Sequence, residues 1–316
     1  MFDTVLFCIK ALKRCLLLVL CGDVVGLALA VLNPVLRDQL LDIDTCLRCY
    51  ERTRITFAKD EVSRKRLLEL LERCRTRTEL FVESFAVLYG DTDPYLGTRE
   101  RLNNAVLNAL KDLVDDLKDP AKGVEILAKA NAVDVSMPWY EFNASSYLDE
   151  LYRVEVEVRG FDESRLVNAK SVAIVLDNAG EAVLDVAFAM LLAIKGIDVW
   201  ILTRSQPYEV DVVYDEVVEL VKRVGKVLGI DARIRVLGTG SRYQPPAKPY
   251  VSSDVIKVME RADLVISKGV GNFKAFLEYR PIDLGKVLFL LKAKCPPMAR
   301  FLGIEMGRAI ASMGIA

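Results

Sequence analysis

Hydrophobic positions change rhythm along this chain. Between residues 61 and 118 they recur at three- and four-residue intervals with charges between them, as at Leu67, Leu68, Leu70, Leu71, Leu80, Phe81 and Phe85. That spacing predicts helices. Asp91-Thr92-Asp93-Pro94-Tyr95 interrupts it, with Thr92 or Asp93 placed to cap a helix over Thr98 to Leu117. A further helix follows over Val124 to Val133, then an aromatic patch of Trp139, Tyr140, Phe142 and Tyr147. The alternation Val154-Glu155-Val156-Glu157-Val158 reads as an edge strand. From Ser171 onward the pattern becomes short apolar runs separated by helical stretches. Strands are predicted at Val172 to Leu176, Val199 to Leu202, Ile234 to Leu237, Leu264 to Ile266 and Val287 to Leu291. Helices such as Asp211 to Val227 and Ser253 to Ala262 alternate with them, the latter capped by Ser252 or Ser253.

Strand and helix in strict alternation build a doubly wound parallel sheet, a three-layer α/β/α fold. The expected organisation is an apolar N-terminal extension over residues 1–43, an α-helical domain over 44–165 and an α/β domain over 166–316. The extension contains Cys15 to Leu32, apolar apart from Asp23 and preceded by Lys10, Lys13 and Arg14. Those features resemble a signal peptide or short anchor. An aspartate at mid-span costs about 3 kcal/mol in a membrane helix, which favours a buried helix or a dispensable extension instead.

Composition narrows the chemistry. No histidine occurs among the 316 residues, so His-based triads, His-ligated zinc and histidine general bases are excluded. A formal net charge of -1 lacks the basic excess of a general nucleic-acid binder. Seven cysteines form no regular disulfide framework, so a reducing, cytoplasmic setting is expected. Cys46-Leu47-Arg48-Cys49 has no second pair to complete a zinc ribbon, and two half-buried thiols on a helix are the plainer expectation.

Polar or glycine-rich sequence follows each predicted strand of the second half. These segments are Asp177-Asn178, the stretch Arg204 to Asp211, Gly238-Thr239-Gly240-Ser241, Ser267-Lys268-Gly269 and Lys292 to Lys294. In an open α/β sheet such loops meet on one rim, where ligands bind. Carboxylate and amide oxygens on neighbouring loops suit Mg²⁺ or Mn²⁺. Glycine-rich turns with lysines nearby suit phosphate, so Gly238 to Ser241 and Lys268 are candidate substrate contacts. Taken singly, Asp177-Asn178 is a helix cap and Lys268 a solvated lysine; convergence on one rim is what favours a site. Within the helical half, Asn103 and Asn104 lie side by side where asparagine is mildly unfavourable. A solvated or helix-bonded asparagine is the plainer alternative. Asn104, Asp134 and Glu181 are the candidates for lining the cleft.

The motifs resemble a family. DNAGE at 177–181, the Ser-Lys-Gly-x-Gly-Asn-Phe segment at 267–273 and LLKAKCPP at 290–297 are similar to the metal-dependent damage-control phosphatases, formerly a domain of unknown function and also described as acidic-residue methyltransferases. Cys46-x-x-Cys49, Asp93-Pro94-Tyr95 and Asn131-x-x-Asp134 match in order and approximate spacing, and the likeness runs from about residue 44 to 310. The resemblance implies a divalent metal, Mg²⁺ or Mn²⁺ with Co²⁺ or Ni²⁺ as alternatives, held by Asp177, Asn178 and Asp211. It also implies that Lys268 contacts substrate phosphate. The chain departs from the family in having Val210 and Val213 around Asp211 instead of Asn and Thr, Ala130 instead of glycine and Lys274 instead of glutamate. The implied activity is a phosphatase acting on small phosphorylated metabolites such as sugar phosphates. An S-adenosylmethionine-dependent carboxyl methyltransferase and a catalytically decayed binding protein are the alternatives. The methyltransferase needs an acidic residue at the end of the second strand, where Thr203-Arg204 stands.

Overall fold

A computed structural model describes residues 24–131 and 147–315. Two compact units divide between Thr92 and Asp93. The first unit is helical: α1 (Val24–Val31), α2 (Pro34–Gln39), α3 (Ile43–Thr53), α4 (Glu61–Arg73) and α5 (Arg77–Tyr89). Asp60 and Ser63 form a capping box that starts α4, and Thr76 caps α5 by accepting from Glu79 N. The unit closes on its own core, which includes Leu36, Leu47, Tyr50, Leu67, Leu71 and Leu80. Cys46 and Cys49 are half-buried on α3. Among the described residues no helix is long and apolar enough to cross a membrane.

The second unit begins with two helices, α6 (Leu96–Lys118) and α7 (Pro120–Ala130). After the undescribed residues come α8 (Tyr147–Arg153), β1 (Val156–Arg159) and α9 (Ser164–Val167). The alternating segment then reads β2 (Ser171–Val175), α10 (Glu181–Ile194), β3 (Asp198–Thr203), α11 (Tyr214–Leu228), β4 (Arg235–Gly238), α12 (Ser253–Arg261), β5 (Leu264–Lys268), α13 (Gly269–Tyr279), β6 (Val287–Lys292), α14 (Pro296–Leu302) and β7 (Ala309–Met313). Helix α12 starts from Ser252, whose hydroxyl accepts from Asp254 N.

The strands form one seven-stranded sheet in the order β1-β7-β6-β5-β2-β3-β4. The five strands predicted from Ser171 onward, β2 to β6, are mutually parallel, the doubly wound α/β arrangement. β7 runs antiparallel to β6, and β1 pairs with β7 at the edge. Every second strand residue, among them Val172, Ile174, Val199, Ile201, Ile266 and Leu288, joins one large core with α6, α7 and α10. Helix α10 is buried from Glu181 to Leu192, which explains its nearly continuous apolar sequence.

One topological fact positions the site. From β2 the chain moves outward through β3 to β4, then returns to lay β5 against the other side of β2. The strand order therefore reverses between β2 and β5, and a crevice opens at the carboxyl ends of such a pair.

Candidate active site

Asp177 lies two residues beyond the end of β2, and the backbone there is already committed. Val212 N donates to Asp177 O (3.0 Å) and Ala179 N to Val210 O (2.8 Å). These two bonds make an isolated antiparallel bridge between Asn178 and Asp211. The loop after β3 thus folds back onto the loop after β2, and α11 starts only at Tyr214, which leaves Asp211 in that loop and not in the predicted helix. Asp177, Asn178 and Asp211 are each more than nine-tenths buried.

Each ligand candidate is separately fixed. Asp177 Oδ2 accepts from Asn131 Nδ2 (3.2 Å) and Asn178 Nδ2 (3.1 Å). Its carboxylate also rests on Gly269: a Cβ there would fall 1.8 Å from Asp177 Oδ2, and Gly269 has φ +75°. Glycine is thus required twice, for the backbone conformation and for the approach. Asp211 Oδ2 accepts from Arg204 Nε at 2.5 Å. Arg204 directly follows β3, lies over the Tyr208 ring at 4.3 Å, and donates through Nη1 to Gln244 Oε1 (3.1 Å) and Arg242 O. Asn178 turns its Nδ2 to Asp177 and Glu181 (3.2 Å), and its Oδ1 accepts no hydrogen bond among the described residues.

The donor set fits a hard divalent cation. Two carboxylates and an uncommitted amide oxygen supply oxygen alone, which suits Mg²⁺ or Mn²⁺. Among the described residues no three His, Cys, Asp or Glu side chains cluster to bind a metal. The third donor here is an amide.

Lys268 is enclosed by the protein. Its side chain is fully buried, and Nζ lies 2.8 Å from Glu181 Oε2, 3.0 Å from Asp185 Oδ1 and 2.6 Å from Leu127 O. The ammonium is thus ion-paired with both carboxylates and hydrogen-bonded to Leu127 O inside the protein. Burial opposes its charge, yet Asp185 and Glu181 hold it above the usual lysine range. Burial pushes the Asp185 carboxyl up to about 7 against the pull of Lys268. Glu181 is fully buried as well, and its Oε1 accepts from Asn131 Nδ2 (2.9 Å) and Asn178 N (3.3 Å). Lys268 and Glu181 together form a floor beneath Asp177 and Asn178.

The turn from Gly238 to Ser241 is likewise occupied with holding loops. Thr239 N donates to Thr203 O (2.9 Å), Gly240 N to Ser205 Oγ (2.7 Å) and Ser241 N to Thr239 Oγ1 (3.3 Å). Its amides therefore brace the loop after β3. Asn104 is exposed and bound to Arg223, whereas its neighbour Asn103 is buried and accepts from Gly180 N (2.8 Å). The cleft-facing asparagine is thus Asn103. Asp134 and the aromatic residues Trp139, Tyr140 and Phe142 lie outside the described residues. Asn131, Arg204 and Asp185 were not singled out as site residues. Only Asn131 carried a signal, its place in the Asn131-x-x-Asp134 match.

An α/β protein with oxygen donors gathered at the switch point of its sheet is the class that fold and site define. The chain belongs to the damage-control phosphatase ARMT1-like domain family, whose pattern matches residues 33–310. It is 25% identical over 279 residues to a damage-control phosphatase of Archaeoglobus fulgidus, covering 86% of this chain and 91% of that one. It is 25% identical over 235 residues to damage-control phosphatase PH1575 of Pyrococcus horikoshii, covering 73% and 78%. A crystal structure of a DUF89 family protein from Pyrococcus horikoshii superposes with a TM-score of 0.67 at 22% identity, covering 86% of this chain and 98% of that one, and has the same fold. The family membership supports a phosphatase role for this chain.

Proposed function

We propose that this chain is a divalent-cation-dependent phosphomonoesterase acting on small phosphorylated metabolites, sugar phosphates among them. The observation that supports this most directly is the Asn178–Asp211 bridge, which sets the loops bearing Asp177, Asn178 and Asp211 against one another at the strand-order reversal. Those three side chains would hold the cation, Mg²⁺ or Mn²⁺ with Co²⁺ or Ni²⁺ as alternatives. A cation bound there supplies a Lewis acid and neutralises charge developing on a phosphoryl group.

The chain's own residues do the rest. Arg204 orients the Asp211 carboxylate and keeps one of its oxygens ion-paired. Asn131 and Asn178 amide groups orient Asp177. The N–H groups of the first turn of α13 have no partners within their helix, and that helix begins at Gly269, in contact with Asp177. They offer an anion site for phosphoryl oxygens next to the cation. The methyltransferase alternative is disfavoured because β3 ends at Thr203 with Arg204 next, no acidic residue standing there, and Arg204 is spent on Asp211.

Phosphate release from a panel of sugar phosphates and simple phosphate esters, with each of the four metals and with EDTA, tests this reading. Release that needs metal and disappears in Asp177→Ala supports it. Silence on every ester with every metal overturns it.

A further inference from the structure

Helix α6 buries two polar side chains one turn apart, Arg99 and Asn103, which are 1% and 6% exposed. Residues four apart share a helix face. Polar groups at that depth cost stability unless partnered, so their partners say what they hold.

Asn103 Oδ1 accepts from Gly180 N, within the turn that carries Asp177 and Asn178. Arg99 grips the other ligand-bearing loop. Its Nη1 donates to Glu209 O (3.0 Å) and Asp93 Oδ1 (3.0 Å), and its Nε and Nη2 engage Glu216 Oε1 at 3.0 and 2.7 Å. Glu209 is two residues before Asp211 and sits at φ 47°, a left-handed conformation uncommon for a residue with a side chain. Glu216 belongs to the first turn of α11, and its Oε2 accepts from Val213 N, two residues after Asp211. Arg99 therefore secures the chain on both sides of Asp211.

We propose that Arg99 and Asn103 are positioning residues that make α6 a common brace for the two loops of the metal site. The inference rests on the metal-site reading above. Neither side chain touches the cation; they fix the separation of Asp177 and Asn178 from Asp211. An ion-pair cluster around a buried guanidinium, such as Asp93–Arg99–Glu216, adds little stability over apolar packing, and its role here is to hold geometry, including the strained Glu209. Partners of metal ligands typically change affinity 10- to 100-fold when removed.

The test compares Asn103→Leu, which removes the acceptor at similar volume, with Asn103→Asp, which keeps it, and adds Arg99→Lys. Two measurements are made on the full chain: Mn²⁺ affinity by calorimetry, and hydrogen exchange of peptides spanning 177–181 and 208–213 in EDTA. The expected result is roughly tenfold weaker Mn²⁺ binding in Asn103→Leu and Arg99→Lys, with Asn103→Asp close to the parent. In EDTA, Asn103→Leu speeds exchange in 177–181 and Arg99→Lys in 208–213, with exchange in the strands unchanged. Unaltered exchange and affinity in Asn103→Leu overturn the brace. A parent chain that binds no Mn²⁺ overturns the metal site itself, and the exchange data then report on loop positioning alone.

Discussion

Asp177 and Gly269 decide the site at the scale of single residues. Alanine at 269 would set a carbon 1.8 Å from Asp177 Oδ2 and impose left-handed backbone strain at φ +75°, about 1–2 kcal/mol before any rearrangement. Asp177 is held by Asn131 and Asn178 and cannot yield without losing them. Gly269→Ala is therefore expected to lower the melting temperature and abolish metal-dependent phosphate release, checked by melting in EDTA and by assay. A stable, active variant would show that Asp177 has room to move. Asp185 makes a prediction of the opposite kind, about pH. Its carboxyl is raised from the usual range to about 7 by burial, so the folded state retains a proton that the unfolded chain releases near pH 4. Stability contributed by this group is complete below about pH 4 and is lost as pH rises toward 7. Urea titrations at pH 5 and pH 8 should show the parent chain losing more stability across that interval than Asp185→Asn. Equal losses would mean the carboxyl titrates normally. The residues themselves were partly legible. Acidic and amide side chains straight after a strand announce a rim, but a buried lysine and a solvated one look alike in sequence. Only the packing of α7 and α10 shows that Lys268 faces inward.

Elements were easier to read than residues where burial is two-sided. β2, β3, β5 and β6 are apolar runs because both faces of the sheet are covered. β7 carries little strand signal because Ala309-Ile310-Ala311-Ser312 has small residues of weak strand preference. Its place is set by pairing with β6 and β1. Helix α7 matters to the site because Leu127 O receives Lys268 and Asn131, at its end, holds Asp177 and Glu181. It packs closely on α10 at Gly123, where a Cβ would sit 2.5 Å from Phe188 Cε2 and 3.2 Å from Leu117 O. Alanine in a helix interior is worth about 1 kcal/mol over glycine, but overpacking a buried ring costs about 1–3 kcal/mol. Phe188 is itself fully buried, so packing wins. Gly123→Ala should destabilise the chain in a denaturant titration; unchanged or increased stability would mean that α7 can back away from α10 freely.

Over the whole molecule, each of the two compact units has a core of its own. One is assembled from residues between Ala28 and Leu88, the other from Leu102 onward. Helical periodicity alone cannot show this division, because α6 and α7 look like the helices before them until the sheet is present to receive their apolar faces. A fragment of residues 93–316 is expected to melt cooperatively with fixed near-ultraviolet dichroism; a broad, non-cooperative transition would show that its core is incomplete. The most direct test of the metal site is an anomalous difference map from crystals of the full chain grown with Mn²⁺. One strong peak within coordination distance of Asp177, Asn178 Oδ1 and Asp211 is the predicted result. A map with no peak there, or with a peak only elsewhere, would contradict it.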